Sequence, residues 1–180
     1  YAEPYLDAGI PIPAVSEEEL AAQPRAQAQL REMMIGGNHD AVGWKRNPSP
    51  EELHRLRAYY AGNVALIDEQ VGLILDSLRT GGYLDNAIVI FTSDHGDALG
   101  DHGHIQKWTM YDCITRVPMM IWSPSRVEAG GRIDALTQQM DVADAILQWA
   151  DVETPRQWEA RPVPGLVEGG PVEPRTHVFA

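Results

Sequence analysis

The chain has 180 residues, 44% of them apolar, which is enough to bury a core within one domain, and no apolar run is long enough to cross a bilayer. Its 14 basic against 26 acidic residues give a formal charge of -12, a balance that favours solubility and, by repelling phosphate backbones, excludes nucleic acid as the expected partner. A single cysteine, Cys113, excludes an internal disulfide and a thiolate metal cluster.

In chain order, residues 1–48 form a Pro-rich, irregular segment with two predicted helical pieces. One starts at Ser16, with Glu19 completing a capping box. The other runs from Pro24 to Met34 and is closed by Gly36-Gly37. Residues 49–150 are expected to be the folded core. Ser49-Pro50-Glu51-Glu52 predicts a helix start, with a Ser cap, Pro at the first helical position and Glu at the third. Leu53, Leu56, Tyr60, Val64, Ile67, Val71, Ile74, Leu75 and Leu78 follow at helical spacing, and Gly81-Gly82 ends the helix. Apolar, β-branched runs predict strands over 87–91 and 118–122. A helix over 141–150 carries Val142, Ala145, Ile146 and Trp149 on one face. Residues 151–180 read as a loop-rich connector. Helices alternating with buried strands predict an α/β fold with a largely parallel sheet flanked by helices.

The chemistry gathers behind the first strand, where Phe91-Thr92-Ser93 leads into Asp94-His95-Gly96-Asp97. Ligands in open α/β sheets bind outside the carboxyl ends of strands, and two adjacent residues that can both hold a metal stand at that spot. Asp94 offers a hard anionic oxygen and His95 a neutral nitrogen. A Gly/His-rich loop follows, Leu99-Gly100-Asp101-His102-Gly103-His104, then Lys107-Trp108-Thr109-Met110-Tyr111-Asp112, then Thr115-Arg116-Val117-Pro118 and the second strand, Met119-Met120-Ile121-Trp122.

This order resembles the sulfatase family of the alkaline phosphatase superfamily, and the resemblance runs from about Tyr59 to Ala150. Tyr59-Tyr60-Ala61-Gly62-Asn63-Val64 looks like the family's long helix before that strand. Met140-Asp141-Val142 looks like its later helix, with Ala143-Asp144 standing where the family usually has Pro-Thr. The resemblance implies an alkaline-phosphatase-like fold, incomplete in this chain, and a sulfate ester hydrolase. It implies that Asp94 and His95 bind a divalent metal, most often calcium, with manganese, magnesium and zinc as alternatives because calcium does not prefer nitrogen. It also implies that Lys107 contacts the sulfate or the leaving oxygen, and it makes His102 a second candidate acid. An acidic protein handling anionic esters needs such a cationic site against its own field. Gln106 occupies the position before this Lys where the family often has Gly. Asp97 and Asp101 are expected to support the loop, and Tyr111, Asp112 and Arg116 to form a scaffold in which an Arg–carboxylate pair fixes Lys107. His104 divides evenly between a substrate-contact or structural role and solvent exposure, and Trp44-Lys45-Arg46 is a further candidate substrate contact on the cleft rim.

The family's nucleophile is a formylglycine made from Cys or Ser in a Cys/Ser-x-Pro/Ala-x-Arg signature. Cys113-Ile114-Thr115-Arg116 does not fit it, and Trp122-Ser123-Pro124-Ser125-Arg126 has Trp in the nucleophile position and reads as a turn. The nucleophile and the family's paired Asp ligands are therefore expected upstream of Tyr1, and the 180 residues alone are expected to be inactive. The implied partner is a small-molecule sulfate or phosphate ester. Two other functions remain open: a phosphonate monoester or phosphodiester hydrolase or phosphoryl transferase of the same superfamily, and a non-catalytic binding module on the same fold.

Overall fold

The computed structural model describes residues 1–36, 48–161, 163–170, 173 and 175–179. Trp44-Lys45-Arg46 lies outside the described residues. The helices are α1 (Glu3–Leu6), α2 (Glu17–Ala22), α3 (Arg25–Gly36), α4 (Pro50–Thr80), α5 (Asp112–Thr115), α6 (Gln139–Trp149) and α7 (Val163–Val167). The strands are β1 (Val89–Thr92) and β2 (Met119–Trp122), and 3₁₀ turns occupy Tyr83–Asn86 and Asp101–Gly103. The chain divides into two compact units. One comprises Tyr1–Ser77 with His95–Val117, the other Leu78–Asp94 with Pro118–Ala180.

In the first unit the cap predicted at Ser49 forms in full: Glu52 N–H donates to Ser49 Oγ at 3.2 Å, and Ser49 N–H to the Glu52 carboxylate at 3.0 Å. With Pro50 at the first turn and Arg79 in the last, α4 runs for 31 residues. Its periodicity is as predicted, but Tyr60, Val64, Ile67 and Ile74 stay exposed. The amino-terminal segment packs back on α4 at Gly62, where a Cβ would come within 2.9 Å of the Ala2 backbone. His54 donates a ring N–H to Leu6 O at 2.8 Å, and Tyr1 donates its hydroxyl to Glu69 at 2.6 Å. The other predicted capping box forms by half. Ser16 Oγ accepts from Glu19 N–H at 3.1 Å, while the Glu19 carboxylate turns to His102 instead.

In the second unit β1 pairs with β2 in antiparallel register, Val89 opposite Trp122 and Thr92 opposite Met119. The two strands among the described residues are thus an antiparallel pair, of the kind that an otherwise largely parallel α/β sheet carries at an edge. Apolar runs mark a strand without its direction, and the long excursion between these two returns the chain the opposite way. Ile90, Thr92, Met119 and Ile121 share the better-covered face, while Phe91, Met120 and Trp122 are exposed on the other.

Helix α6 starts with a capping box between Gln138 and Asp141, which the sequence did not disclose. Asp141 is fully buried and accepts from Arg161 N–H at 2.7 Å and from the Arg175 guanidinium at 2.5 Å. A carboxylate removed from water needs such partners. Asp144, also buried, accepts from Gln148 at 2.6 Å and Thr154 at 2.5 Å. Ala145, Val163 and Pro164 are buried, so the segment after Val152, expected as connector, contains a short helix, α7. The turn expected at Ser123-Pro124-Ser125-Arg126 is present, closed by Val127 N–H to Ser123 O at 3.2 Å.

Candidate active-site loop

Residues 96–106 leave the Asp94-His95 pair and are folded by their own backbone. Gly96 N–H donates to Ile114 O at 2.8 Å, and an added Cβ would stand 1.9 Å from Cys113 O, so no side chain fits there. Asp97 Oδ1 accepts from both Leu99 N–H and Gln106 N–H at 3.0 Å, closing the loop as an Asx turn at one end and a clamp at the other. Ala98, fully buried, donates to Gln106 O at 3.0 Å. From α4, Arg57 donates to Leu99 O at 3.0 Å and pairs with Asp101 at 2.7 Å. Asp97 and Asp101 therefore shape the loop.

Five residues between 99 and 106 have positive φ: Leu99, Gly100, His102, Gly103 and Gln106. Three of these carry side chains, in a region where L-residues are disfavoured by about 1–2 kcal/mol each. Strain of this kind persists where surrounding contacts over-determine it, as at functional sites. Gln106 at φ 59° explains why a glycine suits the position before the Lys. Here Gln106 also receives the Trp108 indole N–H at 3.0 Å.

The candidate site residues are placed as follows. Asp94 follows β1 and is exposed; His95 is half-buried. His95 Nδ1 lies 2.8 Å from Gly96 O, and since a carbonyl only accepts, Nδ1 carries the hydrogen and Nε2 the lone pair. That is the arrangement a metal-binding imidazole needs. Asp94 and His95 are an oxygen and a nitrogen donor, suited to a divalent cation but short of a full coordination set, and among the described residues no cluster of three such donors exists. Upstream of Asp94, Gln139 of α6 donates its side-chain amide to Ser93 O. Lys107 and Trp108 are exposed at the end of the loop.

His102 is held from several directions. Its Nδ1 is 2.7 Å from Glu19 Oε1, and its ring stacks on Tyr111 with centroids 3.8 Å apart and planes 13° from parallel. Its carbonyl accepts from the Gln23 amide at 2.8 Å, and Tyr111 is anchored to Gln27 at 2.8 Å. His104 takes the structural role rather than solvent exposure. It is buried, with Nε2 3.3 Å from Gln23 Oε1, which also accepts from Arg31 at 2.7 Å. Burial, reinforced by Arg31 and His102, holds its pKa below the ordinary value and keeps it neutral. Burial and neighbouring acidic residues, Asp101 first, push the Cys113 thiol up, which agrees with its exclusion as a nucleophile. Among the described residues no carboxylate pairs with Arg116, and the Arg–carboxylate tie on the loop is Arg57–Asp101 instead. No local pattern marks Glu19, Gln23, Gln27 or Arg57 as partners of the loop, each being separated by tens of residues from the loop group it contacts.

A family model described as "Sulfatase" matches residues 13–152. The chain is 32% identical over 176 residues to the multifunctional alkaline phosphatase superfamily protein PehA of Trinickia caryophylli, a match covering 96% of this chain and 34% of that protein. It is 38% identical over 96 residues to an N-acetylglucosamine-6-O-sulfatase of Bacteroides thetaiotaomicron, covering 53% of this chain and 17% of the relative. Among solved structures, the phosphonate monoester hydrolase of Silicibacter pomeroyi superposes with a TM-score of 0.79 at 25% identity, over 91% of this chain and 33% of that one. The chain thus spans about a third of the length of the PehA protein and less of the sulfatase relative. The fold expected from the resemblance, an incomplete alkaline-phosphatase-like α/β arrangement, agrees with these neighbours. With a family model covering most of its length and a relative 32% identical over nearly the whole chain, the chain belongs to the sulfatase family of the alkaline phosphatase superfamily.

Proposed function

We propose that the enzyme carrying this chain is a metal-dependent hydrolase of small-molecule sulfate esters, with Asp94 and His95 as two of the metal's ligands. The observation that carries this reading is the His95 ring, whose Nδ1–H is committed to Gly96 O so that Nε2 holds the lone pair, directly after a carboxylate at the end of β1. A divalent cation, most often calcium in this family, would draw charge from the non-bridging ester oxygens. The nucleophile, a formylglycine hydrate in the family, is supplied from outside this chain. Lys107 offers an ammonium to the sulfate or to the charge that develops on the leaving oxygen, and His102 is the candidate proton donor to that oxygen.

A second reading has support of its own. The structural match to a phosphonate monoester hydrolase and the long match to a multifunctional superfamily member favour phosphonate monoester or phosphodiester hydrolysis at the same site. Sulfate and phosphonate monoesters present similar tetrahedral centres to it. The test is the ratio of kcat/KM on 4-nitrophenyl sulfate and 4-nitrophenyl phenylphosphonate, measured on the enzyme carrying this chain. A ratio favouring the sulfate is expected; preference for the phosphonate transfers the assignment to the second reading.

A further inference from the structure

The environments of two histidines in one loop differ in a way that packing alone does not explain. His104 is 4% exposed and ties the loop to Gln23. His102, two residues earlier, keeps 39% of its side chain exposed although Glu19, Tyr111 and Gln23 all hold it and its φ is 56°. A histidine serving only to fasten the loop gains from being buried, as His104 is. An imidazole fixed in position and tautomer yet open to solvent is suited to proton transfer.

We infer that Glu19 and Tyr111 are positioning residues that hold His102 as the proton donor to the leaving oxygen. The inference rests on the hydrolase reading above and assigns to α2, outside the motif, a part in that reaction. Glu19 accepts the Nδ1 hydrogen, which leaves Nε2 as the ring atom that exchanges a proton with substrate. Tyr111, fixed by Gln27, blocks rotation of the ring out of that plane. In the step itself an oxygen of the nucleophile forms a bond to sulfur while the bond from sulfur to the leaving oxygen breaks and its electron pair goes to that oxygen. The proton on Nε2 of the imidazolium passes to the same oxygen, and the ring ends neutral with its hydrogen still on Nδ1, donated to Glu19. Glu19 itself never touches substrate.

The test compares Glu19→Ala and Glu19→Gln in the enzyme carrying this chain, on 4-nitrophenyl sulfate and on phenyl sulfate, whose more basic phenoxide needs the proton more. Glu19→Ala is expected to lower kcat on phenyl sulfate by about 10- to 100-fold, with KM little changed and the nitrophenyl ester losing only a few-fold. Glu19→Gln, which still offers an oxygen to Nδ1, is expected to recover most of the loss. In a His102→Ala background the Glu19→Ala change is expected to add nothing. An equal loss on both esters, a failure of Glu19→Gln to recover activity, or a further loss in the His102→Ala background would each overturn the inference while leaving the hydrolase reading in place. A wild-type enzyme that turns over only aryl phosphonates moves the same comparison to that series. One inert to both series overturns the hydrolase reading and this inference together.

Discussion

Replacing Gly96 by alanine is the sharpest structural perturbation available in the motif. The added methyl would sit 1.9 Å from the Cys113 carbonyl oxygen and 2.9 Å from its carbon, both rigid backbone atoms. Separating them to ordinary contact needs a movement of about 1.5 Å, in an interior that yields little. The movement also strains the 2.8 Å hydrogen bond from Gly96 N–H to Ile114 O, itself worth about 1 kcal/mol. Overpacking of this kind costs about 1–3 kcal/mol, so a total of about 3 kcal/mol is expected. At about 2–4 °C per kcal/mol, the melting temperature should fall by about 6–12 °C. Because His95 Nδ1 donates to Gly96 O, aryl sulfate turnover should fall further than stability alone explains. The matched control is Gly9→Ala, where a Cβ would meet nothing within 4 Å. Thermal unfolding and kcat measured on both variants decide the matter. A Gly96→Ala enzyme that melts and turns over like the Gly9→Ala control would refute the reasoning.

Two further outcomes concern buried ionisable groups, Asp141 in α6 and His104 in the loop. Arg175→Met should destabilise by about 3–5 kcal/mol, because it leaves the fully buried Asp141 without its cation, and Arg175→Met combined with Asp141→Asn should recover part of that loss; urea titration of the three proteins measures it. His104, with its pKa held below the ordinary value, binds fewer protons folded than unfolded, so its contribution is fully present above about pH 6.5 and is lost as pH falls from there through the folded pKa. The urea midpoint should decline over that range in the wild type and decline less in His104→Gln.

What was legible in the sequence was local. Ser49 and Glu52 lie three residues apart and cap each other as their spacing predicts, and β1, the loop and β2 follow in the expected order. Two of the motif's residues are held close by in sequence: Asp97 by Leu99 and Gln106, His95 by Gly96. What was not legible depends on distant partners. The Ser16–Glu19 spacing is that of a capping box, yet the Glu19 carboxylate finds His102, 83 residues away, and a bond to an imidazole displaces one to a backbone amide. Arg116 looked like the partner for a loop carboxylate, but Arg57 of α4 holds Asp101. Strand direction left no trace in the apolar runs, and the buried charge of Asp141 became intelligible only with Arg175 beside it.

The central claim is that Asp94 and His95 hold a metal used in ester hydrolysis, and its most direct test is one preparation of the Asp94→Ala enzyme assayed for both bound divalent metal and turnover of 4-nitrophenyl sulfate. With Asp94 exposed and not part of a buried core, unfolding temperature should stay near that of the wild type. The account predicts that metal content falls and that turnover drops by about 100-fold or more in the same protein. Wild-type metal content together with near-normal turnover would contradict it.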